Sequence, residues 1–158
     1  MKLYHGTNQY FSRIELEKSQ LGKDFGCGFY LSENEEQAKE LAGFKSLLLG
    51  GTPTILTYEF DESVLYDGTL SYQSFDAYTM EWAKFVLANR NNRKRENIHT
   101  YDVVYGPIAN DKVGVQIRNV LEQNIDMDTF LKRLHYMKGI TFQYFFATEK
   151  AIKFLHQL

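Results

Sequence analysis

Two segments of the chain alternate apolar and polar residues, and this period of two limits the fold more than any other feature. In PTILTYEF, residues 53–60, Leu56, Tyr58 and Phe60 fall on one face and Ile55, Thr57 and Glu59 on the other, the pattern of a half-buried strand entered through Gly51 and Pro53. ITFQYFF, residues 140–146, sets Ile140, Phe142, Tyr144 and Phe146 on one side and Thr141, Gln143 and Phe145 on the other. Both strands need a partner layer to cover their apolar faces.

Elsewhere apolar residues recur every three or four positions. Ser32 and Glu35 form a capping-box pattern ahead of Ala38, Leu41 and Ala42, which predicts a helix over 33–48. Phe75, Tyr78, Trp82, Phe85, Val86 and Asn89 make a stripe that predicts a helix over 76–90. Val113, Ile117, Val120 and Leu121 share one helical face in DKVGVQIRNVLEQN, and Asp128–Met137 predicts a further helix ended by Gly139. Thr148 is placed to cap a last helix carrying Ala151, Ile152 and Leu155. Leu3–His5, FGCGFYLS (25–32) and YDVVYGP (101–107) read as strands, the second preceded by loop, and RNNRKREN (90–97) as a solvated loop. Strands and helices interleave without repeats, so a single α+β domain over residues 1–158 is expected, with twisted, mainly antiparallel sheets and flanking helices.

Charge and composition exclude several functions. A formal net charge of -2 gives no broad field for phosphate backbones, which disfavours a dedicated nucleic-acid binder. Cys27 is the lone cysteine and cannot close an intrachain disulfide, and the opening MKLYHGTNQYF lacks the apolar core of a secretory signal, so a cytoplasmic location is expected. The greasiest run, LLLGG, is too brief to cross a membrane. His5, His99, His135 and His156 are scattered, with His135 and His156 read onto helices, and no metal site is expected. GCGFYL has Leu31 where a dinucleotide fingerprint needs its third glycine, and P-loop, nucleophile-elbow and His-Glu-x-x-His patterns are missing.

Three stretches join a strand to polar or aromatic groups. In LYHGT, Gly6 lets a ligand approach a backbone able to pair with a carboxamide, while His5 offers a directed ring nitrogen; the same string also suits a plain strand end. In DFGCGFYLS, Gly26 and Gly28 give a flexible approach to Phe29 and Tyr30, and the tyrosine face suits stacking on a flat heteroaromatic. In TFQYFF, Gln143 is a polar side chain amid aromatics and needs a partner or a ligand.

These stretches, in this order, resemble the His-Tyr-Glu class of the ADP-ribosyltransferase superfamily, the diphtheria-toxin and poly(ADP-ribose) polymerase side of it. Nearly the whole chain is similar to a small, uncharacterised bacterial family in that superfamily, through LYHGT, DFGCGFYLS, ANR, GPIANDKV and TFQYFFATEKA. The resemblance implies an ADP-ribosyltransferase-like fold with NAD as substrate. His5 would bond a ribose hydroxyl, the backbone of Gly6 would clamp the nicotinamide amide, and Tyr30 would stack on the ring, with Thr7, Gly28, Phe29 and Leu41 around it. Catalysis would fall to His5, Tyr30 and Gln143. Such enzymes carry glutamate where this chain has Gln143, and loss of one electrostatic stabiliser costs on the order of a hundredfold in rate. Glu149, at an expected helix start, suits the positive end of that helix. Leu41 stands where relatives place a second aromatic, with Phe44 a turn further on. Arg90 would meet the pyrophosphate of NAD or simply end its helix, and Asn110 and Asp111 would hold an acceptor loop or cap the next helix.

Two functions are therefore expected in competition. One is a mono-ADP-ribosyltransferase or NAD glycohydrolase, the toxin of a bacterial toxin–antitoxin pair, with an antitoxin as partner and a protein or nucleic acid as acceptor. The other is a catalytically silent module that keeps the NAD pocket.

Overall fold

The computed structural model describes residues 1–135 and 139–158. It is a mixed α+β fold with two sheets. In the first, β1 (Lys2–Thr7), β3 (Thr54–Phe60) and β7 (Leu155–Gln157) lie in the order β1-β3-β7, all antiparallel. In the second, β2 (Phe29–Leu31), β6 (Phe142–Phe146), β5 (Val103–Pro107) and β4 (Tyr72–Ser74) lie in that order, antiparallel except for the parallel β4–β5 pair. The helices are α1 (Glu35–Leu49), α2 (Met80–Asn91), α3 (Asp111–Leu121), α4 (Met127–His135) and α5 (Glu149–Ile152).

Alternation along the strands builds two cores. Leu3, Leu56, Tyr58 and Phe60 from the first sheet meet Phe29, Leu31, Val103, Tyr144 and Phe146 from the second. Residues one position away, Phe145 and Val104, point the other way and pack with Trp82 and Val86 of α2, Ile117 of α3 and Phe130 of α4. The second sheet is thus buried on both faces, which is why ITFQYFF carries aromatics at odd and even positions alike. On the outer face of the first sheet, α1 packs over the Gly6 end of β1 and its neighbour β3, while Lys2, Glu59 and His156 at the other end are exposed. Gly6 permits that contact, because a Cβ there would collide with the carbonyl of Ala38.

The expected elements are present with shifted ends. The first helix begins at Glu35, capped by Asn34, which accepts from the Glu36 and Gln37 N–H groups, whereas Ser32 accepts from Asn34 N–H one step earlier. The second begins at Met80, because the Thr79 hydroxyl accepts from Trp82 N–H, leaving Phe75 and Tyr78 ahead of it. Asn110 caps α3, and Thr148 caps α5. Strand β6 starts at Phe142, so Ile140 and Thr141 precede it. Leu155 and His156, expected on a helix, lie in β7 beside Phe60 and Glu59, since α5 stops at Ile152. Met137, read as the end of the fourth helix, lies outside the described residues. The loop 90–97 docks on the protein at its far end: Asn97 pairs with both backbone groups of Cys27.

Candidate active site

Among the described residues, backbone hydrogen bonds join the two sheets at one place, near the start of the chain. Tyr4 and Ser32 exchange both backbone hydrogen bonds, at 2.8 and 2.9 Å, and this bridge is isolated. Strand alternation then decides what lies beyond it. Because Tyr4 turns its N–H and C=O away from β3, Gly6, two residues on, presents its own pair on the same free edge. The same register sets Gly6 across from Tyr30, where the strands have parted and His5 Nδ1 takes the Tyr30 carbonyl instead, at 2.8 Å.

That contact fixes the imidazole. A carbonyl only accepts, so Nδ1 carries the proton and donates. Burial lowers the His5 pKa to about 4, outweighing the Tyr30 hydrogen bond that raises it, and Lys45 adds to the lowering. The ring is therefore neutral at physiological pH. Its Nε2 is an acceptor with no hydrogen-bond partner among the described residues. The ring stacks on Phe29, centroids 4.3 Å apart, with Phe11 at its edge. Thr7 is buried behind it, paired with Thr54.

The Gly6 carbonyl accepts from Lys45 Nζ at 2.8 Å, a lysine reaching over from α1. Burial lowers the pKa of Lys45, and the charge of Lys23 adds to the effect. Gly6 thus serves two ends: its missing side chain admits α1, and its backbone edge carries a polar group that an ammonium already holds.

Tyr30 is more committed than its sequence context suggests. Its hydroxyl donates to the Gly26 carbonyl at 2.8 Å and accepts from Phe25 N–H at 3.0 Å, closing the loop ahead of β2. Its ring lies against Phe145, 4.8 Å between centroids, and near-parallel to Phe25 at 6.4 Å. Burial drives the phenol pKa well up, so it stays protonated. Gly28, read as a flexible approach, is a packing glycine, since a Cβ would strike the Phe145 ring and the Phe146 carbonyl.

Gln143 lies on the same face of the second sheet as Phe145 and Tyr30, two residues along β6 and paired with Gly106. Its amide nitrogen donates to Asp24 Oδ2 at 3.3 Å. Asp24, 8% exposed, also takes Ala109 N–H on Oδ2 at 3.1 Å and Arg90 on Oδ1 through Nε at 2.8 Å and Nη2 at 2.7 Å. Arg90, expected at a pyrophosphate or a helix end, does close α2, and its guanidinium is directed to this carboxylate. Asp24 was not singled out by sequence reasoning. Its only signal was a lone acid at the head of FGCGFYLS, and nothing local links it to Gln143 or Arg90.

The structure gathers Tyr30, Gln143, Asp24 and Arg90 on one face, with His5 joined to Tyr30 through its carbonyl and Phe29 on the opposite face of β2. Leu41 and Phe44, expected over a bound ring, are 45% and 59% exposed on α1. His99 is structural: Nε2 holds the Phe25 carbonyl at 2.7 Å and Nδ1 accepts Tyr101 N–H. Among the described residues no group of three or more His, Cys, Asp or Glu side chains could hold a metal, and no helix is long and apolar enough to cross a membrane.

Searches of curated proteins and of solved structures found no match. A family model described as "Protein of unknown function (DUF3990)" matches residues 1–157. Spanning nearly the whole chain, that match shows the protein to be a member of the DUF3990 family.

Proposed function

We propose that the protein has an ADP-ribosyltransferase-like fold and cleaves the nicotinamide–ribose bond of NAD, as a mono-ADP-ribosyltransferase or an NAD glycohydrolase. The observation that carries this reading is the parting of β1 from β2. It leaves the backbone edge of Gly6 facing Tyr30, beside a neutral His5 whose Nε2 is a bare acceptor. A carboxamide can pair with such an edge, and a ribose hydroxyl can donate to such a nitrogen. In the reaction the bond from ribose C1′ to the pyridinium nitrogen breaks and its electron pair stays with nicotinamide. An acceptor oxygen or nitrogen then bonds C1′ and gives up its proton to solvent. The cationic transition state needs negative polarity nearby, which the Gln143 amide oxygen supplies as a dipole. The similarity of the motifs to bacterial members of the superfamily extends the reading to a toxin, with an antitoxin as partner and a protein or nucleic acid as acceptor.

A second reading rests on Gln143 itself. Without a carboxylate at that position, the same residues make a catalytically silent module that binds NAD. Incubation with NAD, followed by chromatography of free nicotinamide and by calorimetry of binding, separates the two. Release of nicotinamide that is lost in His5→Asn supports the enzyme. Binding without release supports the silent module, and neither binding nor release refutes both.

A further inference from the structure

We infer that Asp24 is a positioning residue for Gln143: its carboxylate captures the amide NH2 group and so fixes the amide oxygen as the acceptor for a substrate hydroxyl. This rests on the NAD reading for the identity of the substrate, a ribose, but not for the geometry.

The orientation of the Gln143 amide follows from donor and acceptor chemistry. A carboxylate has no proton to give, so Oδ2 of Asp24, 3.3 Å from the side chain, selects the amide nitrogen. The same oxygen is held by Ala109 N–H, and Oδ1 is held by Arg90, so Asp24 itself cannot rotate away. Three separate elements thus clamp one buried acid: the end of α2, the segment joining β5 to α3, and the start of β6. The amide oxygen Oε1 has no hydrogen-bond partner among the described residues. The result is a glutamine that displays only an oxygen, as a glutamate would, and cannot turn its NH2 group toward the substrate.

The arrangement also explains why this chain holds glutamine rather than glutamate here. A glutamate at position 143 would set a second carboxylate against Oδ2 of Asp24 with no proton between them and, among the described residues, the single ion pair with Arg90 to offset two charges. Like charges at that distance cannot both be ionised without cost, so one would hold a proton. Gln143→Glu alone is therefore not a gain of catalytic charge. The exchange becomes productive only when position 24 turns neutral, because the amide introduced by Asp24→Asn can donate to the carboxylate introduced by Gln143→Glu, with loss of the Ala109 N–H bond to that atom.

The test uses the full chain as wild type, Asp24→Asn, Gln143→Glu and the double variant, each checked first by circular dichroism. NAD and nicotinamide are the probes, with calorimetry as the readout. Asp24→Asn and Gln143→Glu are each expected to weaken NAD by about tenfold, the loss of one well-oriented hydrogen bond, while nicotinamide binding, which does not involve the hydroxyl, holds. The double variant is expected to recover NAD binding to within about threefold of wild type, a coupling that independent structural damage would not produce. A second readout needs no ligand. Carbon-13 NMR of the carboxyl introduced by Gln143→Glu is expected to show it titrating about two pH units above its ordinary range, falling back in the double variant. An ordinary titration of that carboxyl in the single variant, or unchanged NAD affinity in Asp24→Asn, overturns the proposal. If wild type binds no NAD, the substrate reading falls and the NMR result alone decides whether Asp24 orients position 143.

Discussion

The neutral state of His5 can be tested through stability. The ring is neutral in the folded protein because burial lowers its pKa from 6.5 to about 4, whereas in the unfolded chain it titrates at the ordinary value. The folded form therefore binds fewer protons than the unfolded form between these two values. Stability is complete above about pH 6.5, falls as the pH drops toward about 4, and changes no further from this group below that, where both states are protonated. At about 1.4 kcal/mol per pH unit, the loss across this window comes to about 3 kcal/mol. Burial also lowers the pKa of His99, which adds loss of the same sign, so a comparison is needed. His5→Asn supplies it: the Asn amide still donates to the Tyr30 carbonyl but cannot titrate, and its lost stacking on Phe29 costs about 1 kcal/mol at every pH. Urea unfolding at a series of pH values is expected to show wild type losing about 3 kcal/mol more than His5→Asn between neutral pH and about pH 4. Equal acid sensitivity of the two proteins, or an imidazole NMR titration of His5 near its unperturbed value, would refute the reasoning and with it the bare Nε2 acceptor.

Other consequences can be checked more quickly. Gly6→Ala puts a methyl group into the Ala38 carbonyl, a backbone atom that cannot swing aside, and is expected to cost about 1–3 kcal/mol or more in denaturant unfolding. Trp82→Phe leaves the Pro107 carbonyl without its indole donor, 3.1 Å away, and opens a void in a fully buried site; an unfolding loss of about 2–4 kcal/mol is expected, with near-UV dichroism reporting the altered core. Lys45→Met frees the Gly6 carbonyl, so nicotinamide should bind about threefold or more tightly by NMR titration, whereas weaker binding would mean that the ammonium belongs to the ligand site. Asp102→Asn disturbs a buried acid whose pKa burial would raise but which the Thr148 and Ser71 hydrogen bonds hold below its ordinary value. That acid stabilises the fold above the usual carboxylate range and loses its effect as the pH falls through it. The variant should therefore be less stable near neutrality, with a smaller loss below about pH 4, as read by thermal melting against pH.

Strands β3 and β6 could be read directly from residue order, because a pleated backbone turns alternate side chains to opposite faces whatever surrounds it. Helices α1 to α3 were legible for a similar reason: their apolar spacing reports a period of their own. Their first residues were not, since the caps are Asn34 rather than Ser32 and Thr79 rather than a residue ahead of position 76, and the choice depends on where the preceding segment delivers the chain. Strands β4 and β7 were missed because three residues are too few to show any period, and only pairing with Val103–Tyr105 and with Tyr58–Phe60 makes them strands.

The site divides along the same line. That LYHGT, DFGCGFYLS and TFQYFF join strands to polar or aromatic groups was visible in the sequence, whereas the roles expected of His5, Gly6, Tyr30 and Gln143 came from a resemblance. Which atoms they offer was a tertiary matter. Gly6 turns its backbone outward because Tyr4 has already bridged to Ser32, His5 is neutral because burial lowers its pKa, and its Nε2 is the acceptor because Nδ1 donates to the Tyr30 carbonyl. Tyr30 spends its hydroxyl on a loop, and Gln143 shows its oxygen because Asp24, 119 residues away, holds its nitrogen. Local sequence encodes periodicity and residue chemistry. Proton positions and amide orientations are set by partners that only the folded chain brings within hydrogen-bonding distance.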